Sequence, residues 1–529
     1  MKDNNWRRYF SFSTDHKVIG IQYIVTAVFF LLIGGMLSMF IRAELFSPGM
    51  QIVRANYYNG MVTAHGTVMI FLWLIPGLVG LANFMLPLMI GARDMAFPRL
   101  NALSFWLTPP GGLLIVIGLL VGPAQAGWTS YAPLSLQGPV GQTLWIIGLI
   151  LIGSSSIMGA VNFMTTVITL RAPGMTVWRM PLFVWTMIAT SILILGGTPV
   201  LAAGLFMQLF DRVLGSSFFV VSQGGAPVLW EHLFWFYSHP AVYIMVLPGM
   251  GIISEVVTTF ARKPIFGYKA MAISSIAIAL IGFLVWAHHM FTSGVAPIIL
   301  LPMMITSMII AVPTGIKTFG WLATLWRGKL WMQTPLLFAI AFLSQFVMTG
   351  ITGVMQASIP LDIHFHNTYW LVGHLHYALF GTGVFALLSG IYYWFPKITG
   401  RMYNETLGKV HFYMIFIAFQ CTYFPMYWLG LNGMPRRVAT YMPEFTTVNR
   451  VVSIAGFCIG LSFAVFLVNL IYSWRFGPVA GRNPWRALTL EWTLPSPPPE
   501  HNFDEIPTVT TYPYDYGRTA GTPVEPPSA

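Results

Sequence analysis

Charge is what this sequence has least of. Asp, Glu, Lys and Arg together make up 8% of its 529 residues, against about 25% in an ordinary soluble domain. So few charges cannot clothe a globular surface, and a 56% share of hydrophobic residues cannot be hidden beneath one. A soluble fold is therefore excluded. Cysteine is nearly absent as well: Cys421 and Cys458 fall in separate apolar stretches without paired spacing, which excludes a disulfide framework and a thiolate zinc site. The polar, basic start, MKDNNWRRYFSFSTDHK, is followed by an apolar run to Arg42 that lacks a small-residue cleavage signal, so an uncleaved anchor is expected.

What is present is apolar sequence in long runs. Stretches of roughly 20 residues, enough to cross about 30 Å of hydrocarbon, recur about twelve times. They lie near 18–41, 61–90, 103–122, 141–170, 180–206, 228–260, 269–291, 296–322, 333–356, 367–396, 410–430 and 452–474. A helix satisfies its own backbone in lipid, so an all-α integral membrane bundle of about twelve transmembrane helices is expected. Three parts follow: a polar segment 1–17, the helical domain 18–475, and a proline-rich tail 476–529. The tail's LPSPPPE cannot span, and it should lie extended on the cytoplasmic surface or on a neighbouring subunit. Both termini then face one side. If that side is the cytoplasm, only Arg42, Arg54, Arg212, Arg436, Arg437 and Arg450 of the 27 lysines and arginines fall outside. This bias sets the orientation and accounts for a net charge of +11 without nucleic acid.

Seven of the 12 histidines sit inside or at the edge of expected spans: His65, His239, His288, His289, His366, His374 and His376. One such residue could be a hydrogen-bonded interior side chain. Seven need a common explanation, because each polar group in hydrocarbon requires a partner. His374 and His376 in GHLHY are two positions apart, so at about 100° per residue they point about 200° apart and could serve two sites. His288 and His289 in WAHHMF splay by about 100° and could flank a metal, with His239 of WFYSHPAVY as third ligand. Imidazoles without nearby thiolate or carboxylate suit copper or iron, and His65 with one of the GHLHY pair would make a bis-histidine heme. Tyr243 follows His239 by four residues and shares its helical face.

The motifs STDHKVIG, TAHGTVMIF, GARDMAFPRLN, WFYSHPAVY, WAHHMF, PTGIKTFGW, HNTYWLVGHLHY, GMPRRVATY and LEWTLPSPPPEHNF run through nearly the whole chain. In kind and order they closely resemble subunit I of the heme-copper oxygen reductases, on the A-type, cytochrome c-oxidising branch. The resemblance implies the catalytic subunit of a bacterial terminal oxidase in the inner membrane, with cytochrome c oxidase activity. It would reduce dioxygen to water and translocate protons, using two hemes, of the heme A type, and one copper. His65 and His376 would bind the low-spin heme, His374 the high-spin heme, and His239, His288 and His289 the copper. Tyr243 would be joined covalently to His239 and give an electron and a proton when the dioxygen bond breaks. Arg436 and Arg437, which break the positive-inside pattern, would hold heme propionates beside Trp128, and Arg42 a heme formyl group.

Two proton paths are implied as well. Asp94 would open one, continued by Asn83, Asn101, Asn162, Ser155 and Ser156, while Lys317 with Thr314, Ser254 and Tyr243 matches the other. Most mitochondrial-type members read GHPEVY; here YSHPAVY puts Ala241 in place of a proton-passing glutamate, and Tyr237 and Ser238 mark a subgroup without it. Tyr237, four residues before Ala241, is expected to reach the vacated space and, with Ser238, relay protons as a neutral hydrogen-bonding group. A magnesium or manganese position at the subunit interface would include His366, but Asn367 stands where many members carry aspartate, and a hard cation loses a charged oxygen there. Without a cysteine pair, the electron-accepting binuclear copper centre must lie on a partner, subunit II, with or without a fused cytochrome c domain. Subunit III, small subunits and a supercomplex with a quinol-oxidising complex complete the expected partners. The quinol-oxidising branch is the alternative, disfavoured by Ile33, Leu37, Tyr57 and Gly60 at its quinol positions; nitric oxide reductases lack the tyrosine. A heme-free proton transporter is the alternative from another class.

Overall fold

A computed structural model describes residues 6–517 and is almost wholly helical. Among the described residues twelve apolar helices of 15 residues or more follow in chain order: α1 (His16–Glu44), α2 (Ala55–Ile90), α3 (Pro98–Val121), α4 (Val140–Thr169), α5 (Leu182–Val213), α6 (Pro227–Ala261), α7 (Tyr268–Gly282), α8 (Pro297–Leu325), α9 (Thr334–Ala357), α10 (Tyr369–Thr399), α11 (Glu405–Leu431) and α12 (Pro443–Phe476). Among the described residues, all but α7 are long and apolar enough to cross a membrane, which makes 11 spans. The expected seventh span, 269–291, is thus shorter than its hydropathy suggests. α7 stops at Gly282, and the chain turns through a short 3-10 helix, Trp286–Met290. The carbonyls freed at that depth accept hydrogen bonds from α8: Thr306 Oγ1 donates to Leu284 at 2.6 Å and Ser307 Oγ to Val285 at 3.4 Å. Hydroxyls of a neighbouring helix are what permit a broken helix inside a membrane protein.

Local signals set the helix ends. Asp15 caps α1 by accepting from the Lys17 amide, Thr368 caps α10 and Asn404 caps α11. Where backbones meet, small residues allow it: a Cβ at Gly111 of α3 would lie 2.8 Å from the Gly148 carbonyl of α4. α2 and α6 are the most enclosed spans and α8 the least. Two π-helical segments, Met69–Leu74 in α2 and Tyr377–Val384 in α10, begin just after His65 and His376, a local widening that hydropathy does not reveal.

The tail to residue 517 packs on this same chain and has no spanning helix. Basic side chains at helix ends hold its carbonyls. Lys397 donates to Arg482, Leu494 and Pro495, Arg262 to Trp485 and Arg486, and Lys17 to Glu500. Its residues Trp485, Trp492 and Tyr514 are buried against the bundle.

Candidate heme and copper centre

α6 runs unbroken through Pro240 and carries His239 and Tyr243 into the core, while the 3-10 turn after α7 carries His288 and His289. The three histidines bring one ring nitrogen each within 4.8 Å of one another. His239 Nδ1 and His289 Nε2 are 3.2 Å apart; two nitrogens that share one ion at about 2 Å lie about 3.3 Å apart. Neighbours fix each ring. His288 Nδ1 bonds the Ser307 hydroxyl at 2.8 Å, and His289 stacks on Trp235 at 3.8 Å with 11° between planes. His239 Nε2 is buried without a hydrogen-bond partner, and the Tyr243 ring centre is 4.8 Å from that of His239.

The GHLHY histidines do take opposite faces of α10. His376 stacks on Tyr423 of α11 and faces His65 across 6.5 Å, the two rings within 16° of parallel. Each has Nδ1 held by a carbonyl, His65 by Gly34 at 2.9 Å and His376 by Val372 at 2.8 Å, which leaves Nε2 for a metal. Both line a cavity of about 390 Å³, together with Arg42, Trp128, Arg436 and Arg437. His374 turns instead to α9, where Thr352 Oγ1 lies 2.9 Å from its Nδ1, and it is near enough to His288 and His289 to act on them electrostatically.

The family model described as cytochrome c and quinol oxidase polypeptide I matches residues 18–458. The chain belongs to this family. It is 54% identical over 513 residues to a cytochrome c oxidase subunit 1 of Synechocystis, covering 97% of this chain and 93% of that one. A subunit 1 of Thermostichus vulcanus is 53% identical with the same coverage, and a putative subunit 1-beta of Streptomyces coelicolor is 48% identical over 94% of this chain and 88% of its own. A solved heme-copper terminal oxidase dimer shares the fold, with a TM-score of 0.73 at 20% identity over 88% of this chain and 85% of that one. Membership places the chain among multi-pass, oxygen-reducing oxidoreductase subunits that carry hemes and copper and work in multi-subunit assemblies.

Arg436 and Arg437 lie in the connection between α11 and α12 and line the cavity that His65 and His376 share. Among the described residues Arg436 and Arg437 form no ion pair. Burial and mutual repulsion push Arg436 down to about 9. Arg436 holds Asn367 Oδ1 through Nε and Nη2, at 3.0 and 2.6 Å, and His366 Nδ1 pairs with Asp362 Oδ2 at 2.9 Å. Asp362 escaped sequence reasoning, although its spacing of four from His366 was the signal for it. Arg42 donates to Asn449 at 3.1 Å, and its Nε has no partner.

Asp94 lies in the loop between α2 and α3. Burial, aided by Asp15, raises its carboxyl from 3.8 to about 6, against the opposing pull of the Met95 amide and Lys17. Beyond it, Asn83 Oδ1 and both amide atoms of Asn101 are buried without partners. Tyr23 bonds Ser104 and Ser155, and Thr108 bonds Ser155. With Ser156 the residues Tyr23, Thr108 and Ser155 line a small cavity of about 30 Å³. Asn162 is different, since both ends of its amide bond the Phe97 backbone, which makes it a loop clasp. Tyr237 is buried against Phe71, which itself lines the small cavity, and Ser238 Oγ is buried without a partner. Lys317 Nζ donates to Ser275 Oγ at 2.7 Å and Met271 O at 3.1 Å. Ser254 accepts from Trp321 at 2.9 Å, and Thr314 bonds only its own helix. Ser275 is a polar neighbour that the motifs did not point to.

Proposed function

We propose that this chain is the catalytic subunit of a bacterial terminal oxidase that takes electrons from cytochrome c, reduces dioxygen to water and translocates protons. The observation that carries the reading is the convergence of His239, buried, with His288 and His289, half-buried, beside Tyr243. The donor set suits copper: three imidazoles with no carboxylate or thiolate among them. The paired rings of His65 and His376 suit iron, since nitrogens about 2 Å from a metal put ring centres roughly 6 Å apart, as in the observed 6.5 Å. On this reading His65 and His376 hold the low-spin heme, His374 the high-spin heme, both of heme A type, and the three converging histidines the copper. Bound there, these groups supply electron transfer and dioxygen reduction.

The chain's own residues do the rest. Arg436 and Arg437 offer positive charge to propionates, and the unpartnered Nε of Arg42 offers a donor to a formyl oxygen. Tyr243, joined to the otherwise unpartnered Nε2 of His239, holds a proton at its phenolic oxygen. Asp94 takes up protons and passes them along the hydroxyls toward Ser155 and Ser156. Tyr237 and Ser238 carry them past Ala241, in keeping with a YSHP-type subgroup. Lys317 serves the second path toward Tyr243. A magnesium or manganese ion at the subunit interface would find His366 paired with Asp362 and the Asn367 oxygen taken by Arg436. The electron-accepting copper centre belongs to subunit II, and the termini face the cytoplasm of an inner membrane. A quinol donor is the second reading, and Gly60 speaks against it: a side chain there would run into the Pro123 ring. A reduced-minus-oxidised spectrum with pyridine extraction, together with oxygen uptake on reduced cytochrome c, tests the proposal; a protein without heme would defeat it.

A further inference from the structure

The tail crosses the mouth of the Asp94 path, and one side chain there does more than pack. Asn502 is 1% exposed, and its backbone has φ +60, a left-handed conformation that asparagine tolerates better than most residues. The two hydrogens of its Nδ2 are shared among three acceptors, the carbonyls of Ala92 at 3.0 Å and Arg93 at 3.1 Å and His16 Nε2 at 2.8 Å. Its Oδ1 accepts from Lys17 Nζ at 3.0 Å. The amide can face only this way round, because a lysine can only donate and carbonyls can only accept. His16 completes the link: its Nδ1 bonds the Asn83 carbonyl at 2.8 Å, so with that nitrogen donating, its Nε2 is left to accept from Asn502. One buried amide thus joins the start of α1, the end of α2 beside Asn83, and the two residues immediately before Asp94. The other fastenings of this loop are the Arg93 guanidinium, which donates to the Asp504 carbonyl of the tail at 3.2 Å, and, beyond Asp94, Thr166 and Asn162 of α4.

We propose that Asn502 is a positioning residue for proton uptake: it holds the Ala92–Arg93 backbone against α1 so that the Asp94 carboxyl stays half-enclosed at the head of the Asn83 and Asn101 chain. The inference rests on the reading of Asp94 as a proton-uptake group. The charged and titratable groups around that carboxyl are Asp15, His16 and Lys17 from α1, Arg93 beside it, and Glu500, His501 and Asp504 from the tail. Enclosure is the main reason that Asp94 holds its proton up to about 6. Releasing the loop admits water and lowers that value.

Two substitutions remove the tether while respecting the backbone. Asn502→Gly accepts φ +60 without strain, and Asn502→Asp keeps the shape but cannot donate to two carbonyls. Both are to be compared with Asp94→Asn in the complete oxidase, reconstituted in vesicles, by heme spectrum, oxygen consumption and dye-detected proton uptake across pH. We expect full heme content in both, uptake slowed roughly ten-fold, as losing two backbone hydrogen bonds would give, and in Asn502→Gly a pH profile moved to lower pH, a movement that the added carboxylate of Asn502→Asp opposes. Wild-type uptake and profile in both variants, alongside a defective Asp94→Asn, overturn the role of Asn502. So does a loss of heme content with no movement of the profile, which would make Asn502 a structural residue only. Normal pumping by Asp94→Asn would instead bring down the uptake reading, and this inference with it.

Discussion

Lys317→Met separates a residue kept for chemistry from one kept for stability. Lys317 is buried within α8, with two hydrogen bonds and no carboxylate partner. An ammonium at the centre of a span costs roughly 2.5–3.5 kcal/mol, and two hydrogen bonds return about 1–3 kcal/mol between them. Methionine matches the lysine stem in length and flexibility and carries no charge. It also strands neither partner, because Ser275 Oγ keeps its own bond to the Met271 carbonyl at 3.1 Å. The variant should therefore be as stable as the wild type or more stable, by about 0–2 kcal/mol. Oxygen reduction should fall sharply, since nothing else in that position can carry a proton. Thermal melting of the purified oxidase, followed by heme absorbance, and oxygen consumption on the same preparation give both numbers. A lower melting temperature, or an unchanged rate, refutes the reasoning.

Asp94→Asn should abolish pumping and also remove a pH step. The folded carboxyl titrates at about 6 and the ordinary one at 3.8. The folded state therefore binds the proton more tightly, and this group's contribution to stability falls as pH rises from about 4 to about 6; melting temperature against pH should lose that slope in the variant. His376→Ala should remove the low-spin heme signal and His374→Ala carbon monoxide binding, as carbon monoxide difference spectra would show; loss of the same heme in both contradicts the assignment. A Tyr237→Phe, Ser238→Ala double variant should pump fewer protons per electron, because Tyr237 packs on Phe71 of the hydroxyl-lined cavity and the Ser238 hydroxyl is buried without a partner. Normal stoichiometry in vesicles would leave water as the carrier.

Hydropathy and helical period act over short stretches, so they were legible in the sequence. The spans, the opposed faces of His374 and His376, and the shared face of His239 and Tyr243 all follow from residues a few positions apart. The bis-histidine pairing of His65 with one of the GHLHY residues could be anticipated, but its setting could not. Which ring nitrogen stays free depends on the carbonyls of Gly34 and Val372 and the hydroxyls of Ser307 and Thr352, and all but Val372 come from other helices. The same holds for α7, which ends where α8 can satisfy its carbonyls, and for Asn162, a path residue by motif that the Phe97 backbone fully engages. Asn502 was visible only as one letter of HNF in a proline-rich tail. Its place beside Asp94 was decided by hydrogen bonds between segments more than four hundred residues apart, which no local pattern encodes.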